Sequence, residues 1–187
     1  MFHRDICSWK LLNVPPKQIG GVSHKVRIDE SALTKRKYNR GKVIKRNKEK
    51  KTTWILGMLD TTTMESVILY VEKRDKCTLL SEIQRHVKPL TTIWTDCWKA
   101  YDYLDNSGYV HETVNHSKQF KSITGVCTNA IEGHWRTLKM FIRSLNAMSS
   151  KFLFEYIDQF MWCNEFGRTP HSKFHNMLAH IKEKYVL

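Results

Sequence analysis

Between residues 25 and 71 the apolar positions cluster in short runs, and from residue 78 onward they recur three and four apart. The first spacing belongs to strands and the second to helices. Residues 25–29 (KVRID) alternate as a short strand that ends at two acids. Residues 52–60 (TTWILGMLD) and 66–71 (SVILYV) read as two further strands, joined by the polar turn Thr61-Thr62-Thr63. These three make an antiparallel meander. Leu79, Leu80, Ile83 and Val87 then mark a helix over 78–87 that Pro89 stops. Residues 91–96 (TTIWTD) have the apolar character of a buried strand, a helical stretch follows over 98–105, and residues 112–114 supply one more short strand. A strand returning after a crossover helix pairs in parallel, so the pattern predicts a mixed α/β sheet.

The last third is helical. Ile131, Trp135, Leu138, Ile142 and Leu145 form an apolar stripe along a helix over 129–145. Residues 152–166 are apolar around most of the circumference, which predicts a largely buried helix, and 172–185 form a final one. Residues 1–24, punctuated by Pro15-Pro16 and Gly20-Gly21, lack a pattern and read as a tail. The expected organisation is a tail over 1–24, a domain over 25–168 and a helical extension over 169–187.

Charge changes this picture more than composition does. The 187 residues carry 31 Lys and Arg against 18 Asp and Glu, a net charge of +13. Most of it is local: residues 34–51 hold Lys35, Arg36, Lys37, Arg40, Lys42, Lys45, Arg46 and Lys48 among their ten basic residues, with Glu49 the one acid. Such a segment is either a solvated loop or the contact for a polyanion, which repays each neutralised phosphate with released counterions. It has no amphipathic apolar face for a membrane surface. No apolar run is long enough to span a bilayer, and the first residues lack the continuous apolar stretch of a secretory leader. The five cysteines are scattered, with no C-x-x-C pair, and imply neither a disulfide framework nor a zinc ribbon.

Three acids stand at element boundaries: Asp29 and Asp96 at strand ends, and Glu132 in the first turn of the long helix. Each has an ordinary structural role open to it. Asp29 with Ser31 suits a turn, Asp96 suits a helix cap, and Glu132 lies three residues after Asn129 as a capping-box acid does. Together, two acids on neighbouring strands and a third from an adjoining helix make an oxygen cluster of the kind that suits Mg²⁺ or Mn²⁺. Two such ions stabilise the attacking and leaving oxygens of an in-line displacement at phosphorus. On the same helix Arg136, Lys139 and Arg143 fall near the direction of Glu132, and form either an exposed polar face or a track for a phosphate backbone. Glu30 points to the opposite side of its strand from Asp29 and is set aside as a ligand. Trp94, Trp98 and Trp135 are read as core.

Four blocks then carry a resemblance: VRIDESALTKRKYNRGK from Val26, TIWTDCWKAY from Thr92, YVHETVNHS from Tyr109 and TNAIEGHWRTLK from Thr128. In this order they resemble the DDE transposase domain of small bacterial insertion sequences and their eukaryotic Merlin relatives, over about residues 20–166. The resemblance implies an RNase H-like fold, an antiparallel three-stranded meander plus parallel strands flanked by helices. It implies a DDE catalytic domain over 25–168 with a two-ion Mg²⁺ or Mn²⁺ site that cleaves and joins DNA strands. Matched block by block, Asp29, Asp96 and Glu132 are the catalytic and metal-holding acids, Lys139 is a DNA contact, and His116 of VNHS is a neighbour of the site. The partners so implied are DNA and further copies of the chain, with no membrane. Location follows the host: nucleus in a eukaryote, where Lys35-Arg36-Lys37 and Lys45-Arg46 resemble an import signal, and cytoplasm otherwise, not secreted. Family members place an end-recognition module ahead of this domain, whereas 28 residues precede Asp29 here. A catalytically inactive, transposon-derived DNA-binding protein is the alternative.

Overall fold

The computed structural model describes residues 2–33, 53–96, 98–113, 129–145 and 152–186. The basic residues Lys35, Arg36, Lys37, Arg40, Lys42, Lys45, Arg46 and Lys48, and His116, lie outside the described residues. The chain divides into two compact units, one of residues 19–131 and one of residues 1–18 with 132–187.

The first unit is built on a five-stranded sheet of order β3-β2-β1-β4-β5. Its strands are β1 Lys25–Ala32, β2 Trp54–Asp60, β3 Ser66–Val71, β4 Thr92–Thr95 and β5 Val110–Thr113. β1, β2 and β3 form the antiparallel meander, and β4 and β5 add in parallel beyond β1. Period-two alternation puts Val26 and Ile28 on one face with Leu56, Met58, Val67, Val71 and Ile93. Helix α2, Lys76–His86, packs Leu79 and Ile83 into this core and carries the chain from β3 across to β4, which is why β4 runs parallel to β1. Asp75 caps α2 by accepting from the Thr78 N–H at 2.9 Å.

A buried polar hub adds to the burial of these core side chains. Asp60, 1% exposed, accepts from the backbone N–H of Gly20, Thr62 and Thr63 at 3.2, 2.8 and 3.2 Å, and lies 2.7 Å from Nδ1 of His24. Burial opposes its ionisation, but His24 and the two turn amides outweigh that and hold the carboxyl below its usual range. Gly20 has φ of +83°, and a Cβ there would lie 2.5 Å from Oγ1 of Thr91, so both backbone and space demand glycine.

The second unit is helical. It holds α1 Phe2–Leu12, most of α3 Asn129–Ser144, α4 Leu153–Phe166 and α5 Pro170–Tyr185. Ile6 and Cys7 of α1 are buried in this unit, as are Leu153, Tyr156, Ile157, Phe160 and Trp162 of α4. Lys10 pairs with Glu183 and Lys184 with Asp5, both at 2.7 Å, which clips α1 to α5. The Trp162 indole N–H donates to Nδ1 of buried His180 at 3.0 Å. Among the described residues no helix is long and apolar enough to cross a membrane.

Three elements differ from the pattern-based expectation. The N-terminal residues hold a helix, because Ile6 and Cys7 gain a packing partner in α4 that the weak local pattern does not announce. β1 extends through Ala32, so Asp29 and Glu30 lie inside a strand and not at its end. The stretch 98–105 forms two short 3₁₀ turns, Lys99–Tyr101 and Asp105–Ser107, where a continuous helix was expected. Tyrosine tethers dictate this path: Tyr103 donates to the carbonyl of Lys76 at 2.7 Å and Tyr109 to that of Val87 at 3.0 Å.

Candidate functional site

Asp29 and Asp96 come together through sheet topology. β1 and β4 pair in parallel as far as Arg27 opposite Trp94; Asp29 follows two residues further along β1 and Asp96 one residue past the end of β4, and the charges of both reach Glu30. On the other flank of β1, Asp29 is in register with Gly57 of β2. Asp96 also takes the capping role open to it: its Oδ1 accepts from the Trp98 N–H at 3.1 Å and so starts the 3₁₀ turn after β4.

A third acid, set aside as a ligand because alternation turns it away from Asp29, does lie on the opposite face of β1 but within electrostatic reach of both aspartates. Glu30 lies on the face of Val26 and Ile28, at the edge of the core, and accepts a hydrogen bond from the hydroxyl of Tyr101, itself 1% exposed. Burial pushes its carboxyl up to about 7, the negative charges of Asp29 and Asp96 add to the rise, and the Tyr101 hydroxyl and the Arg74 guanidinium oppose it. The electrostatic record of three acids is thus written on one of them. The signal lay in the sequence: a carboxylate on the apolar face of a strand needs a partner, and Tyr101 stands in the same TDCWKAY block as Asp96.

Glu132 is exposed in the first turn of α3 and belongs to the helical unit. Ile131, Trp135, Leu138 and Ile142 are buried along one side of α3, as the stripe predicts. Glu132, Arg136, Lys139, Met140 and Arg143, with Trp135 at the border of the two sides, line a groove of about 560 Å³. Its three basic residues are the ones singled out from the sequence. Trp94 and Trp135 are core residues at 7% and 6% exposure, whereas Trp98 is only half-buried and faces Arg74.

Among the described residues no three His, Cys, Asp or Glu side chains form a ready cation cage. The donor set of Asp29 and Asp96 nonetheless fits a hard divalent ion in its chemistry, since it consists of carboxylate oxygens.

A family model of the ISXO2-like transposase domain matches residues 21–164. The chain belongs to this family. An uncharacterized transposase-like protein of Haemophilus influenzae (strain ATCC 51907 / DSM 11121 / KW20 / Rd) is 31% identical over 85 residues, 46% of this chain and 68% of that protein. Among solved structures, the catalytic core domain of BIV integrase aligns at TM-score 0.50 and 13% identity, over 87% of this chain and 99% of that one. A chain of the simian T-cell lymphotropic virus intasome in complex with PP2A regulatory subunit B56 gamma aligns at 0.54 and 12%, over 82% of this chain and 52% of that one. The transposase domain therefore has the RNase H-like fold of the integrase cores, and its strand order agrees with the sheet expected from the motif blocks.

Proposed function

We propose that this transposase domain cleaves and joins DNA strands with Asp29, Asp96 and Glu132 as its catalytic and metal-holding acids. The observation that supports the reading is that β1 and β4, paired in parallel as far as Arg27 and Trp94, are each followed two residues on by an aspartate, in a chain of a transposase family. Asp29 and Asp96 would hold Mg²⁺ or Mn²⁺, with Glu132 completing the set. When bound, the ions would neutralise charge at the scissile phosphate and acidify the attacking hydroxyl.

The reaction is a displacement at phosphorus in two rounds. Water attacks a phosphodiester at the element end and frees a 3′-hydroxyl, and that hydroxyl then attacks the target strand, the displaced 3′-oxygen leaving each time. The residues of the chain bind and orient. Arg136, Lys139 and Arg143, spaced along one side of α3, would follow a phosphate backbone, and the basic residues of 35–51 would anchor flanking DNA. Glu30, its carboxyl pushed up to about 7 chiefly by burial, is only partly ionised near neutral pH. The organisation that goes with this function is a catalytic domain over 25–168 with a helical extension over 169–187, acting as a homo-oligomer on paired ends.

The test is strand cleavage and joining on end-like and pre-nicked duplexes in Mg²⁺ or Mn²⁺, with Asp29→Asn, Asp96→Asn and Glu132→Gln alongside. Activity in the wild type and its loss in each variant, with DNA binding retained, is the expected result. Binding without metal-dependent cleavage on any of these substrates, in DNA or RNA, would leave the chain a DNA-binding module.

A further inference from the structure

Arg74 stands three residues past the end of β3 on the exposed approach to α2. Its guanidinium carbon lies 3.5 Å from the ring centroid of Trp54 and 5.2 Å from that of Trp98. Each indole has a reason to be there. Trp54 begins β2, paired with Ala32 on one side and Val71 on the other. Trp98 is fixed by its N–H on Asp96 and by an edge contact to Tyr101 at 5.9 Å. These positions are the end of the sheet at which β1 delivers Asp29 and β4 delivers Asp96. Arg74, the two tryptophans, Tyr101 and Glu30 thus form one continuous run of contacts beside the acidic pair.

We infer that Arg74 is a DNA phosphate-binding residue, held by Trp54 and Trp98 so that its N–H edge meets a phosphodiester next to the one being cut. Two features argue for this role. Stacking on an indole occupies the face of a guanidinium and leaves its five in-plane donors at the rim, in the fork that matches phosphate oxygens. Among the described residues no carboxylate closes an ion pair on Arg74, and the nearby Glu30 carboxyl is already occupied by Tyr101. An arginine immobilised at its face and open at its edge, next to a site that collects negative charge, is organised for a ligand that brings anionic oxygens of its own. Lys73, adjacent and equally exposed, has no ring contact of this kind among the described residues.

The inference rests on the transposase reading, and the experiment separates the two. Binding of the full chain to a fluorescein-labelled duplex is followed by anisotropy across a salt titration for wild type, Arg74→Gln, Arg74→Lys and Lys73→Gln, with thermal unfolding as the folding control. Arg74→Gln is expected to weaken binding about fivefold and to flatten the logarithmic salt slope by about one, the loss of one phosphate contact. Arg74→Lys restores the slope and part of the affinity, since it keeps the charge and loses the fork. Lys73→Gln removes the same formal charge and changes both readouts by less than half as much. Wild-type affinity and slope in Arg74→Gln, or equal losses in Arg74→Gln and Lys73→Gln, would overturn the inference and leave the proposed activity standing. A wild type that binds no DNA would overturn both.

Discussion

Glu30→Gln measures what it costs to hold a carboxyl buried beside Asp29 and Asp96 toward the end of β1. The Glu30 carboxyl is raised from 4.5 to about 7, first by burial and then by Asp29 and Asp96. A rise of that size corresponds to about 3 kcal/mol between its protonated and ionised forms, an upper figure because water reaches part of the carboxyl. The sign follows from proton counting. Below pH 4.5 the group is protonated in folded and unfolded chains alike and its contribution is fully present. As pH climbs toward 7 the folded state keeps a proton that the unfolded chain has released, so stability drains away, and above 7 the loss is complete. Glutamine keeps an oxygen acceptor for Tyr101 and removes the titration. Urea unfolding in EDTA, which keeps divalent ions off the site, should show the variant more stable than wild type by about 2 to 3 kcal/mol near pH 8 and little different near pH 4. Parallel pH–stability curves for the two proteins would refute the raised Glu30 carboxyl, and with it the account of a buried acid beside Asp29 and Asp96.

Other expectations concern the scaffold and the DNA face. Asp60→Ala removes the acceptor of the buried Gly20 N–H, of the two exposed turn amides and of half-buried His24, and should cost about 2 kcal/mol in chemical unfolding. Because the Asp60 carboxyl is held below its usual range, its stabilisation is complete above about pH 4 and is lost as acid protonates the folded state, a dependence that the alanine variant should lack. Burial lowers the pKa of His180, Lys10 adds to this, and neutral Nδ1 accepts from Trp162. Its contribution is therefore present above about pH 6.5 and lost as pH falls, and Trp162→Phe should cost about 1 kcal/mol and weaken that dependence when unfolding is followed by circular dichroism. The combined change of Arg136, Lys139 and Arg143 to glutamine should flatten the salt slope of DNA binding by about two to three without changing the melting temperature; an unaltered slope would remove this side of α3 from the DNA path.

Alternation and helical spacing determined most of the sheet, the α3 stripe and the α4 core, because burial of one face imposes a period that any reader of the chain can see. The motif blocks pointed to Asp29 and Asp96, and residue chemistry alone made an oxygen site plausible. Tertiary structure decided what the local pattern carries no signal for. The partner of α1 lies more than a hundred residues away in α4, so its helix is stabilised by contacts that no short window contains. β1 runs past Asp29 because β2 pairs with it through Ala32, a register set across a long connection. Glu30 became part of the site only when Tyr101, 71 residues later, came back to its carboxylate, and Arg74 gained its place only when strands from three parts of the chain put two indoles beside it. Periodicity records which face is buried; which side chains meet there depends on how the strands are ordered.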